Sequence, residues 1–190
     1  MSDSGAAFNI NTDQNKVKST PLYDVHGGWF DAADFDMRVM HMDIISELAN
    51  AYIRFPDNFT DNQVDIPESG DGIPDILSEA IWGAELYRKA QLENGGIRAW
   101  FETHRHENDW PWESNYKYYA CAPSMKNSVR YAFSAARLAR ALKLAATKIT
   151  NVDGIKKCKE LANLYTESAC AAFEYGTKDF IEPYIKIPDS

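Results

Sequence analysis

Apolar positions recur at three- and four-residue steps in four separate stretches of the chain, and each stretch predicts an α-helix. The first starts near residue 37, where Met37, Met40, Ile44, Leu48 and Ala51 form the stripe. Val39, Met42, Ile45 and Tyr52 fall outside that stripe, so this helix is apolar around much of its girth and is expected to be covered on more than one side. Pro56 ends it, because a proline disfavours helical geometry in the residue before it. Residues 56–73 are rich in Asp, Asn and Gly and read as loop. Pro74 suits the first turn of a second helix, where its missing N–H costs nothing. Asp75 and Glu79 lie near the amino end of that helix, where carboxylates favour the dipole. Its stripe runs through Ile76, Leu77, Ala80, Ala84, Tyr87 and Ala90 until Asn94-Gly95-Gly96 stops it.

Residues 97–123 are aromatic and irregular. A third helix is predicted over 125–148 from Met125, Val129, Ala132, Phe133, Ala136 and Ala139, and its many alanines allow a neighbour to approach closely. Asn151-Val152-Asp153-Gly154 reads as a turn. A fourth helix follows over 155–175 through Cys158, Leu161, Ala162, Tyr165, Ala169 and Phe173, with Gly176 closing it. Residues 1–22 are polar and without period, an extended lead-in. The pattern is therefore all-α: two helix–loop–helix hairpins, with weak strand signals throughout.

Composition narrows the partners rather than the fold. A formal charge of −8 over 190 residues repels nucleic acid and anionic lipid, so neither a nucleic acid nor a membrane is expected as a partner. A neutral polysaccharide is not repelled. No apolar run approaches the length of a membrane span, and the polar start lacks the apolar core of a signal peptide. Three cysteines, Cys121, Cys158 and Cys170, are too few and too widely spaced for a disulfide framework or a zinc site. Cys158 and Cys170, about three helical turns apart, read as small buried apolar groups.

The chemistry concentrates in Asp24-Val-His-Gly-Gly-Trp-Phe-Asp-Ala-Ala-Asp-Phe-Asp36. Paired glycines permit unusual backbone angles and close approach. Asp31 and Asp34 stand three apart just before a helix, which points both carboxylates the same way once the chain is turning. Neighbouring carboxylates repel and their pKa values separate, which suits general-base work on water. The same spacing also fits a plain role: Asp34 as helix cap and Asp31 as turn former.

Gly27-Gly28-Trp29-Phe30-Asp31-Ala32-Ala33-Asp34 resembles the signature of glycoside hydrolase family 9, the family of many cellulases. A second block, Ile66-Pro67-Glu68-Ser69-Gly70-Asp71-Gly72-Ile73-Pro74-Asp75-Ile76-Leu77-Ser78-Glu79-Ala80 followed by Trp82-Gly83, is similar to the same family. A looser third match joins Gly95-Gly96-Ile97 to Tyr119–Pro123 and Ala135–Ala139. The resemblance covers roughly residues 22–175. It implies an (α/α)6 toroid of six helical hairpins, incomplete in this chain, with residues 23–190 as part of the catalytic domain. It implies an inverting hydrolase of β-1,4-linked glucans or related oligosaccharides, in which Asp34 matches the general base and Asp31 the residue that helps hold the water. It suggests a secreted or periplasmic protein, and no cofactor or metal ligand is expected among the residues of this chain.

The chain also departs from the family pattern. Ala33 replaces a glycine between the two aspartates, Phe35-Asp36-Met37-Arg38 replaces Tyr-Gly-Lys-Tyr, and His26 stands where small polar residues are common. Subsite contacts, His26 among them, are therefore expected to differ. The family's general acid is a glutamate near the carboxyl end of the full domain, and no glutamate here is assigned that role. A complete toroid needs roughly twice this length. An open part of one exposes apolar faces and has the remainder of the same domain as its natural partner. The alternative function is a non-catalytic carbohydrate-binding remnant.

Trp110, Trp112, Tyr116, Tyr118 and Tyr119 cluster in one loop, and aromatic faces stack on sugar rings as readily as they pin a loop to its own domain. Trp110, Trp112 and Tyr116 are the candidate substrate contacts. His104 and His106, with Glu102, Glu107 and Asp109, read as a solvated polar loop rather than a metal site. His41 is expected to be hydrogen-bonded and semi-buried, and Trp82 to be packed in the core.

Overall fold

A computed structural model describes residues 26–31, 38–103 and 118–178, and of Glu102, Thr103, Tyr118 and Tyr119 the backbone only. Four helices carry the fold: α1 (His41–Arg54), α2 (Asp75–Lys89), α3 (Met125–Lys148) and α4 (Val152–Thr177). α1 packs on α2 and α3 packs on α4, the two expected hairpins, and α1 also lies against α3. A short antiparallel pair, β1 (Phe101–Thr103) and β2 (Tyr118–Ala120), stands in the stretch read as irregular, with Phe101 opposite Ala120.

Local chemistry explains the boundaries. Phe55, before Pro56, leaves the helical region at φ −135° and ends α1. Pro74 sits one residue outside α2 rather than in its first turn. Ser124 caps α3 by accepting from Asn127 N–H at 3.2 Å. Asn151 caps α4 by accepting from Gly154 N–H at 2.9 Å, so the expected turn is the start of the helix itself. Gly176 does not close α4 but lies buried within it, where a side chain would meet Val129 and the Met125 carbonyl. α2 stops at Lys89, and the turn at Gly95 (φ +88°) is a separate one seated against Ala171 of α4. The Asp75 carboxylate is buried and accepts from the N–H groups of Asn62, Gln63 and Val64 at 2.7–3.1 Å. Its role is to fold the preceding loop over the end of α2, beyond any favourable term with the helix dipole.

The core runs through Met42, Ile45, Ala49 and Tyr52 of α1, Leu77, Ala80, Ala84 and Tyr87 of α2, Tyr131, Ala135, Leu138 and Leu142 of α3, and Cys158, Ala162 and Tyr165 of α4. This corrects the expected faces of two helices. In α1 the buried residues are those left outside the predicted stripe, while Met40 is 52% and Ile44 40% exposed. In α3 Phe133 is 52% exposed, with the Arg137 guanidinium 5.0 Å from its ring centroid, and Ala136 is exposed too. Phe173, placed in the α4 stripe, is exposed as well. Both stripes of α1 have helical period. Which one faces inward is decided by α2 and α3, and local sequence does not encode that. Cys158 is buried as expected, whereas Cys170 is exposed.

Candidate functional site

The motif loop is built onto α2 by backbone contact. Gly27 and Gly28 have φ of +94° and +80°, a region open to glycine at little cost. A side chain on Gly28 would run into Leu86, and one on Gly27 into the carbonyl of Trp82. At this close approach Gly28 N–H donates to the Trp82 carbonyl at 3.0 Å, and the Trp82 indole N–H donates back to the Gly28 carbonyl at 2.8 Å. Trp82 is 40% exposed, so its task is to hold the loop rather than to fill the core as expected.

The next residue is fixed in the opposite sense. The Trp29 indole N–H donates to the Glu79 carboxylate on α2 at 2.6 Å. Its six-membered ring lies where a side chain on Gly83 would stand. His41 of α1 meets the ring edge-on, centroids 6.5 Å apart at 88°. His41 is buried, its Nδ1 accepting from Arg38 N–H at 3.3 Å, in line with a hydrogen-bonded histidine. The returning end of the loop is tied to the same helix, where Tyr87 of α2 donates its hydroxyl proton to the Arg38 carbonyl at 2.8 Å. Burial pushes the Tyr87 hydroxyl pKa well above its ordinary value, so it keeps the proton that it donates to Arg38.

Between these anchors the chain presents Phe30 and Asp31 to solvent. The Asp31 carboxylate is 44% exposed and lies 3.5 Å from Arg38 Nε, an ion pair that bridges the outgoing and returning ends of the loop. His26 lies on the α2 side of the loop, with Lys89 Nζ 2.7 Å from its Nδ1 and the Trp82 ring 6.2 Å away. Asp34, Trp110, Trp112 and Tyr116 lie outside the described residues, as do His104 and His106. Of the candidate residues, His26 lies directly against α2, and Asp31 stands two residues past the Trp29 anchor, paired with Arg38.

A second polar centre joins α2 to α4 and was not singled out from the sequence. Glu85 accepts from Arg88 Nε and Nη2, both at 2.7 Å, and from the Tyr165 hydroxyl of α4 at 2.7 Å. Burial alone raises the Glu85 pKa, but the bonds from Arg88 and Tyr165 outweigh it and hold the carboxyl below its ordinary value. Nearby, Tyr131 and Ser168 hydroxyls are 2.8 Å apart, and Ser168 donates to Gln91 at 2.6 Å. The three-residue spacing of Glu85 and Arg88 signals an ion pair on one helix face. Nothing in the sequence pairs Glu85 with Tyr165, eighty residues away.

A cleft of about 490 Å³ lies elsewhere, lined by Asp71, Asn151, Asp153, Lys156, Lys157 and Glu160 at the start of α4. Among the described residues, none of the motif loop lines it.

Known proteins share the fold and part of the sequence. The model of the family described as Glycosyl hydrolase family 9 matches residues 4–187. Endoglucanase C of Cellulomonas fimi is 31% identical over 93 residues, which are 46% of this chain and 8% of that protein. A cellulose 1,4-β-cellobiosidase of Acetivibrio thermocellus is 40% identical over 77 residues, 36% of this chain and 9% of that protein. Among solved structures, a metagenome-derived glycoside hydrolase family 9 endoglucanase superposes with a TM-score of 0.71 at 24% identity, covering 90% of this chain and 29% of that one. A family 9 protein of Bacteroides ovatus gives 0.72 at 19% identity, covering 92% and 30%. The matched region is thus under a tenth of the curated relatives and about 30% of the solved chains. The two hairpins are part of an (α/α)6 toroid that is incomplete in this chain, and with a family match over nearly its whole length the chain belongs to glycosyl hydrolase family 9.

Proposed function

We propose that residues 23–190 form part of the catalytic domain of an inverting glycoside hydrolase acting on β-1,4-linked glucans or related oligosaccharides, and that they carry its general base but not its general acid. In inversion one carboxylate takes a proton from water as the water attacks the anomeric carbon. A distant carboxylic acid protonates the departing oxygen. Asp34 is the base in this reading, and Asp31 holds the water beside it. The chemistry needs two carboxyl groups and water, and no cofactor or metal. The acid comes from another part of the toroid, and the sugar is gripped by His26 and by Trp110, Trp112 and Tyr116.

The observation that supports this reading best is the fastening of the motif loop at both ends to α2, with Asp31 exposed between the anchors. A base must stand in one place relative to the sugar, since small displacements of a reacting group cost orders of magnitude in rate. The test is a chimera in which this chain replaces the equivalent third of a solved relative's domain. It is expected to cleave a β-1,4-glucan with release of α-configured reducing ends, and Asp34→Asn is expected to abolish turnover. Undiminished turnover in Asp34→Asn would reject the assignment.

A further inference from the structure

We infer that Glu79 is a positioning residue for Asp31, acting through the Trp29 indole. The inference rests on the catalytic reading of the motif loop, but the geometry behind it stands apart from any turnover. An indole has one N–H donor and no acceptor, so a single partner sets its direction. Here that partner is a carboxylate at 2.6 Å, a short, charge-assisted contact across fifty residues of sequence. Gly83 below and the edge of His41 beside it line the slot that takes the ring, and these contacts carry no hydrogen-bond direction. The bond to Glu79 is directional. It fixes the register of Trp29 on the helix, two residues before Asp31.

The Trp82–Gly28 pair alone does not do this. It holds the backbone at Gly28, where φ of +80° leaves a glycine several ways to continue. The Trp29–Glu79 bond is the first contact after that flexible point. It therefore selects the direction in which the chain leaves α2 toward Asp31. Glu79 sits one turn after Asp75, on a helix whose amino end is itself closed down by the buried Asp75 carboxylate. Its backbone is thus a fixed base for the bond.

The experiment is NMR on the 190-residue chain, labelled with ¹⁵N and ¹³C, in four forms: wild type, Glu79→Ala, Glu79→Gln and Tyr165→Phe. Glu79→Ala is expected to move the Trp29 indole cross-peak upfield and to shift the Phe30 and Asp31 amides and the Asp31 side-chain carboxyl ¹³C resonance at fixed pH. Glu79→Gln keeps an acceptor oxygen and is expected to restore the amides and the carboxyl resonance. Tyr165→Phe, which removes a bond to Glu85 and none to Trp29 or Glu79, is expected to lower Tm while leaving the Phe30 and Asp31 signals in place. A Glu79→Ala protein that loses Tm with the Phe30 and Asp31 amides and the Asp31 carboxyl resonance unmoved would reduce Glu79 to a structural role and overturn the inference. Should Glu79→Ala not fold, Glu79→Asp retains the charge but withdraws it by one methylene, and unmoved loop signals there overturn the inference equally. Failure of the glycosidase assignment, with Asp34→Asn still active in the chimera, leaves these signals unchanged, so the two failures are distinguishable.

Discussion

Between α3 and α4 the contact is made mainly of small and apolar side chains, among them Ala135, Leu138, Leu142, Cys158 and Ala162, with one buried hydroxyl pair, Tyr131 and Ser168, and with Gly176 letting α4 close onto Val129. Where the motif loop crosses α2, glycines also allow close approach, but the contact is made of hydrogen bonds, two of them from indoles pointing in opposite directions. The hydrophobic term is large and has no direction. Hydrogen bonds are individually modest and strongly directional. The helix seam therefore holds the molecule together, and the loop seat aims it. The two regions should separate under mutation, one losing stability and the other losing position.

The largest expected effect lies in the seam. Leu138→Ala removes a fully buried side chain and is expected to cost about 2–5 kcal/mol, read as a fall in the urea midpoint while the Phe30 and Asp31 amides stay where they are. An unchanged midpoint would show that the seam is not where stability resides. Next comes Gly83→Ala in the loop seat. A helical Gly→Ala change ordinarily gains up to about 1 kcal/mol. Here the new methyl occupies the space of the Trp29 ring, so a net loss of about 1–3 kcal/mol and a red-shifted tryptophan emission are expected. A stabilised protein with unchanged emission would mean that Trp29 does not rest on Gly83.

Tyr165→Phe should cost less, about 1 kcal/mol, by removing one of the bonds to Glu85. It also has a pH signature. The Glu85 pKa in the folded protein lies below its ordinary value of 4.5. Its contribution to stability is therefore present above that value and is lost as pH falls through the folded pKa. Glu85→Gln is expected to flatten the acid limb of stability against pH, and Tyr165→Phe to shift that limb upward. An acid limb untouched by both would remove Glu85 from the account. The smallest effect concerns thiols. Cys170, exposed on α4, should be alkylated at pH 8 within minutes. Cys121 and Cys158 are buried, and burial pushes the Cys158 thiol up to about 11, so both should react only on unfolding, as followed by intact mass. Equal rates for all three would contradict the burial on which the seam depends.

Much of this was legible in the sequence, and what was not has a common cause. Helix positions follow from period and from Pro56, local signals, whereas the caps at Ser124 and Asn151 emerge only in the structure. The motif loop was found from glycine and aspartate spacing together with its family resemblance. The inward face of α1 was misread because Ile44 and Ile45 are equally apolar, and only the placement of α2 and α3 chooses between them. Trp82 was misassigned to the core, and Glu79 to the helix dipole, because their partners Gly28 and Trp29 lie about fifty residues away. Long-range polar pairs leave no mark on hydrophobic period. The exposed Met40, Ile44, Phe133 and Phe173 fit the expectation that part of a toroid leaves apolar faces uncovered.

The central claim is that this chain carries the base of a glycosidase whose acid lies elsewhere in the toroid. The most direct test is to incubate the purified 190-residue chain and its Asp34→Ala variant with a soluble β-1,4-glucan and to measure reducing ends. The account predicts no release above background from either protein. Turnover by the wild-type chain that disappears in Asp34→Ala would contradict it, because an acid would then have to be present among these residues.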